Sequence, residues 1–342
     1  MSKEELTLAI VGDIYVQRED PLSIFAFTRE PLAQADIAFG NQEVALSTKG
    51  APIMPGKLVI RSEPRMVEAL TYAGFDVVGL ANNHSMDYGP EAILETLEVL
   101  DKAGIAHAGA GASIEAAHKP AILERKGAKI AFLSYSSVFI PDFFPAQKDR
   151  PGIAVVRLYT AYQPHRRVFE QPGSPALAIV TPDAADFARM KQDVQEAKAK
   201  ADVVVVAWHW GVSEGYMRIV DYQRDMGKAA IDAGADIVVG HHPHMLQGIE
   251  VYKGKTIFYS LGNFAFDYQL AYSGQETIIV MGKIAQGKIK QISFLPAMID
   301  EKKVPVLLDL KKGKSVVDLA QRLSADLGTQ FDLGEKEVQI IM

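Results

Sequence analysis

The feature that most constrains the fold is a rhythm. Short apolar runs alternate with amphipathic stretches, and the runs end in glycine and polar residues. Strands are expected at Leu6–Val11, Asp36–Phe39, Leu58–Ile60, Asp76–Leu80, Ile105–Ala108, Lys129–Tyr135, Asp202–Trp208, Asp236–Val239 and Thr256–Tyr259. Many are continuously apolar rather than alternating, the pattern of strands covered on both faces. Helices are expected over Pro64–Ala73, Gly89–Gly104, Thr181–Ala201 and Tyr222–Ala233. Pro90 suits a first helical position and Gly104 a stop. Thr181 reads as an N-cap, with Asp183 in the first turn where the helix dipole favours it. The rhythm predicts a layered α/β fold.

Two regions depart from it. Phe139–Pro175 is rich in proline, aromatic and basic residues and reads as a functional insertion or lid. After about Gln275 the pattern turns strand-rich, with a turn at Gln286-Gly287, a last helix over Ser315–Leu327 and a short strand over Glu337–Ile341. Length alone allows about two domains or one large one. Polar groups from Asp13 to Asp267 serving one pocket favour the latter. The expected organisation is one domain over residues 1–300 with the insertion at 139–175, and a helix–strand extension at 301–342 packed on it.

Composition narrows the chemistry. The chain has no cysteine, which removes disulfides, thiolate ligands and cysteine nucleophiles. A net charge of −6 argues against a duplex nucleic-acid binder. No apolar run reaches the ~18–20 residues of a membrane helix, and the short acidic N-terminus lacks a leader's basic and apolar regions. The expected location is therefore cytoplasmic, with no integral membrane segment. Self-association stays open.

The unusual polar residues collect at the strand ends. One run ends in Gly12-Asp13, the next in Asn41-Gln42-Glu43, and a third in Asn82-Asn83-His84 with Asp87 following. The later ones end in His209-Trp210-Gly211 with Glu214, in Gly240-His241-His242-Pro243-His244, and in Gly262-Asn263 with Asp267. A parallel sheet binds ligands beyond its carboxyl ends, so these clusters are expected to converge. Imidazole and carboxylate together suit divalent Zn, Mn, Fe or Ni. An extended His242-x-His244 segment would project both rings to one side.

Each residue also has a plainer reading. Asp13 alone fits a turn or a cap, and Asn82-Asn83 a left-handed turn pair. His107, His118 and His165 read as surface or core histidines. Trp208 and Trp210 read as core aromatics facing away from His209. Joint placement decides for the clusters: of the 8 histidines, His84, His209, His241, His242 and His244 lie at strand ends. Candidate catalytic residues are His84, Asp87 and Glu214. Candidate substrate contacts are Tyr15, Asn82, His241, Asn263, Arg150 and Arg166.

Across these stretches, from about Leu6 to Asp267, the chain resembles the CapA-type poly-γ-glutamate capsule biosynthesis proteins. These are similar to the calcineurin-like metallophosphoesterases. The resemblance rests on Val11-Gly12-Asp13, Asn41-Gln42-Glu43, Asn82-Asn83-His84-Ser85-Met86-Asp87, His209-Trp210-Gly211, Gly240-His241-His242-Pro243-His244 and Ser260-Leu261-Gly262-Asn263-Phe264. It implies a metallophosphatase-like four-layer α/β/β/α sandwich. It also implies a divalent-metal centre held by Asp13, Glu43, Asn83, His209, His242 and His244, with His84 as the general acid. Two positions depart from the pattern. Tyr15 stands where the metallophosphoesterases carry a ligand histidine, and Glu43 replaces a shorter aspartate. One ion, two ions, a weakly filled centre or a centre without metal are all compatible with these departures.

Three functions follow. The first is a metal-assisted hydrolase or transferase acting on an anionic or peptide-like substrate. The second is a metal-independent acid/base enzyme, such as a peptide or amino-acid epimerase, working through Glu43, His84 and His244. The third is a non-catalytic subunit that binds an anionic polymer through Lys148, Arg150, Arg166 and Arg167.

Overall fold

The computed structural model describes residues 4–54, 58–213, 217–268 and 273–342. Two large sheets dominate. Across the larger one the strands run Phe331–Leu333, Val338–Ile340, Lys288–Ile299, Glu276–Ala285, Leu6–Tyr15, Ile37–Gln42, Val77–Gly79 and Ala106–Ala108. The last four are mutually parallel. The smaller sheet runs Ile249–Tyr252, Lys255–Phe258, Ile237–His241, Val203–His209, Ala128–Ser136 and Ala121–Arg125, and its four central strands are parallel.

Double-sided burial explains the continuous apolar runs. Leu6, Leu8 and Ile10 share one cluster with Val203, Val205, Ala207, Ile237 and Val239 of the smaller sheet. Their neighbours Ala9 and Val11 turn the other way, toward Leu32, Leu70 and Ile93 of helices. Val204, Val206 and Trp208 meet Met190, Val194, Met226 and Ala230 of the helices Ala184–Lys200 and Asp221–Ala233. The sheets thus pack face to face, with helices on their outer sides. Each fully buried Val, Leu or Ile contributes about 1.5–3 kcal/mol relative to exposure, so strand ends anchored in three apolar clusters are held firmly.

Several expectations need correction. Leu58–Ile60 does not pair; the strand there is Arg61–Ser62, against Ala45–Leu46. Thr181 is not a cap, because it pairs with Tyr159 in a ladder. The helix begins at Ala184 and is capped by Asp183, whose Oδ1 accepts from the Ala185 and Asp186 amides. The Phe139–Pro175 stretch is not a lid throughout. Phe144, Ile153, Ala154, Val155 and Val156 are buried in the core, and Gly152–Ile153 pairs with Ala110–Gly111. Its apolar residues, spaced between prolines, are what fill that space. Only the later part projects, as a hairpin of Leu158–Gln163 with Leu177–Pro182.

The turn at Gln286-Gly287 joins Glu276–Ala285 to Lys288–Ile299 in the larger sheet. Both residues have positive φ, 54° and 72°, as a two-residue type I′ turn requires. The chain then adds the helix Lys314–Ser324 and the strand Val338–Ile340, which extends the larger sheet beside Lys288–Ile299. Among the described residues, no helix is long and apolar enough to cross a membrane.

Candidate metal centre

The parallel strands deliver their polar ends to one place. Asp13, near the end of Leu6–Tyr15, and Glu43, just past Ile37–Gln42, are both fully buried. His209 ends one strand of the smaller sheet and His241 the next. One ligand atom each from Asp13, Glu43 and His209 lie within 4.8 Å of one another.

The surrounding bonds orient this set. Asn41 Nδ2 donates to Asp13 Oδ1 at 2.8 Å and to Glu43 Oε2 at 2.7 Å. His241 Nδ1 lies 3.0 Å from the same Asp13 Oδ1. Asp13 Oδ2 accepts from the His242 amide at 3.2 Å and lies 3.8 Å from His244 Nδ1. Glu43 Oε1 lies 3.6 Å from His209 Nε2, which is 2.7 Å from Asn83 Oδ1. His244 Nδ1 pairs with Asn263 Oδ1 at 2.8 Å. A contact of that kind fixes the ring and its tautomer, as outer partners of metal-binding histidines do.

The loop from His241 to His244 is not extended, contrary to the sequence expectation. His242 has φ 94° and His244 φ 59°, and their ring centroids lie 5.8 Å apart. Residues with a β-carbon are uncommon in this region. A residue before proline is also normally pushed toward extended backbone. The backbone here is held off its preference, and such strain clusters at functional sites.

Electrostatics support neutral imidazoles beside ionised carboxylate. Burial pushes the His242 imidazole down to about 3, with His244 and His84 adding to the effect and Asp13 opposing it. Burial likewise holds His209 well below the ordinary histidine range, reinforced by His242 and His241. Burial lowers His244 too, against the pull of Asp13 and Asn263. Burial would raise Asp13, but the contacts with His241, His244 and Asn41 outweigh it, and its carboxyl is held low. Neutral imidazoles carry the lone pairs a metal needs. Buried carboxylates without a cation are costly. The donor set therefore fits a divalent ion.

The remaining candidates divide. His84 Nδ1 pairs with Asp87 Oδ2 at 2.7 Å, and the same oxygen accepts from the Ile60 amide at 2.9 Å. Asn82 is spent on backbone groups: its Nδ2 donates to Gln42 O at the neighbouring strand end, and its Oδ1 accepts from the His84 and Ser85 amides of its own turn. Tyr15 packs in a small cluster with Val44, Ile60 and Phe266. Burial, with Asp267 nearby, raises its phenol further, so it is poorly suited to coordinate as phenolate. Arg150 Nη2 donates to Pro145 O, and Arg166 is exposed on the projecting hairpin. Asp267 is taken up by Arg18, Nε to Oδ1 at 3.0 Å, and by the Gln17 amide. Glu214 lies outside the described residues. Trp208 and Trp210 stack in the helix-side cluster, away from His209.

Asn41 is the residue the sequence reading missed. Its signal was period two: residues 41 and 43 share a strand side, so an asparagine there must meet whatever Glu43 meets.

Parallel strands from two packed sheets, ending in a buried carboxylate–imidazole cluster, define an α/β protein with a candidate divalent-metal centre. The bacterial capsule synthesis protein family PGA_cap matches residues 7–268, and the chain belongs to it. It is 32% identical over 327 residues to the PGA biosynthesis protein CapA of Bacillus subtilis, covering 92% of this chain and 78% of that protein. It is also 32% identical over 275 residues to the capsule biosynthesis protein CapA of Bacillus anthracis, covering 77% of this chain and 60% of that one. A probable polyglutamine synthesis accessory protein of Mycobacterium tuberculosis is 28% identical over 277 residues, covering 77% and 66%.

Proposed function

We propose that this chain is a metal-assisted hydrolase or transferase acting on an anionic, peptide-like polymer in capsule or polyglutamate synthesis. We assign it the metallophosphatase-like four-layer α/β/β/α sandwich. The observation that carries the reading is the convergence of Asp13, Glu43 and His209 in full burial, beside a His84–Asp87 pair. The family membership supports the polymer class. The relatives named for PGA and polyglutamine synthesis point the same way.

Asp13, Glu43 and His209 would hold the ion, with Asn83, His242 and His244 completing the set. A divalent ion of the Mn, Zn or Fe type supplies Lewis acidity toward an acyl or phosphoryl oxygen. The rest is the work of the side chains. Asp87 holds His84 through Nδ1, which leaves Nε2 to deliver a proton to a leaving group. Asn41 fixes the two carboxylates, and Asn263 fixes His244.

The test is elemental analysis of protein purified without added metal, followed by turnover on a panel of phosphoesters and glutamyl peptides. Bound Mn, Zn or Fe and a turnover lost in His84→Ala and His242→Ala are expected. Full activity in metal-free protein, or in His242→Ala, would sink the reading. Deuterium wash-in at a substrate α-carbon without hydrolysis would favour the epimerase instead.

A further inference from the structure

A second feature shares no lining residue with the strand-end cluster. A cavity of about 540 Å³ opens between the start of the helix Asp221–Ala233 and the C-terminal helix. Arg218, Arg224 and Arg322 line it, together with Asp221 and Asp326. Among the described residues, none of the three guanidiniums is engaged in an ion pair. Arg224 Nε is buried and has no hydrogen-bond partner. A buried donor of this kind calls for an acceptor. Three unpaired guanidiniums around one cavity are unexpected in a chain of net charge −6.

The cavity is tied to the metal centre. Gln247, three residues after His244, donates through Nε2 to Arg218 O at 3.2 Å. It accepts from Gln223 Nε2 at 3.0 Å. The opposite wall is seated on Gly248, where a β-carbon would meet Leu323 O at 2.5 Å. Both walls are therefore positioned by the segment that follows His244.

We infer that this cavity is a binding subsite for a polycarboxylate peptide chain, taking its carboxylates on Arg218, Arg224 and Arg322. Guanidinium forks match carboxylate geometry. The two aspartates sharpen the class. They repel a compact anion such as phosphate but accept amide N–H groups, and a glutamate chain carries both carboxylates and amides. The inference rests on the anionic-polymer reading above. It moves carboxylate recognition away from Arg150 and Arg166.

The test is fluorescence anisotropy of a labelled oligoglutamate on the full chain, with inorganic phosphate as competitor. Wild type is expected to bind, and Arg224→Ala/Arg322→Ala to bind at least about tenfold more weakly, the loss expected for charge-assisted hydrogen bonds. Arg166→Ala/Arg167→Ala on the hairpin is expected to bind like wild type. Arg322→Ala alone, at an exposed position, gives the same direction should the double variant fold poorly. Absence of binding by wild type overturns the polymer reading and the subsite with it. Binding that survives in both cavity variants overturns the subsite alone, as does loss of binding in the hairpin variant. Phosphate competing as well as unlabelled oligoglutamate overturns the polycarboxylate class.

Discussion

Two of the histidine–carboxylate sets among the described residues differ instructively. In the strand-end cluster Asp13 meets Asn41, His241, the His242 amide and His244, while Glu43 stands beside it and His209. In the second set, Asp193 accepts from Tyr135 Oη at 3.0 Å and pairs with His118 Nδ1 at 2.7 Å. The second is one carboxylate shared by two donors at the outer, helix-covered side of the smaller sheet. The first gathers two carboxylates and several imidazoles with depressed basicity. Residue type is the same in both. Convergence of two carboxylates with imidazoles, rather than one carboxylate shared by two donors, separates the candidate centre from a structural pair.

Predictions can break that contrast. Asp13→Asn should weaken Mn²⁺ or Zn²⁺ binding, read by calorimetry, by more than about 100-fold, beyond the usual 10–100-fold cost of losing an outer partner. Equal affinity in wild type and variant would remove Asp13 from the centre. Asn41→Leu keeps similar volume but loses the shared donor, and should cost about 10–100-fold in the same titration. An unchanged value would make Asn41 a packing residue.

The metal-free protein should also show a pH signature. His242 is held near 3 in the folded chain and has its ordinary value of 6.5 when unfolded. Between these values the unfolded state binds the extra proton. Stability from this group is therefore complete above 6.5 and falls as pH drops toward 3, by up to about 1.4 kcal/mol per pH unit. Denaturant titrations of His242→Gln should show a shallower slope in that window; an equal slope would refute the assignment. The smallest effect is expected at the other set. His118→Gln should lower stability by about 0.5–1.5 kcal/mol and leave metal affinity untouched. A drop in affinity there would erase the distinction drawn above.

Much of this was legible in the chain. Val203–His209 reads as a strand because it is apolar on both faces, and its polar end announces the site. Asp183 was misassigned because Thr181-Pro182-Asp183 offers two capping side chains, and only the pairing of Thr181 with Tyr159 decides between them. Phe144 and Val155 looked like parts of a loop because prolines surround them, and prolines say nothing about depth. The cavity arginines were invisible, since Arg218, Arg224 and Arg322 meet only through tertiary packing.

The left-handed backbone at His242 and His244 has a consequence for directed evolution. A library randomised at both codons and sorted for thermal resistance alone should enrich glycine, which adopts such angles freely. Sorted for metal retention, it should return histidine. The two sorts would pull the same positions apart, and the gap between them would measure how far selection has traded backbone ease for an imidazole.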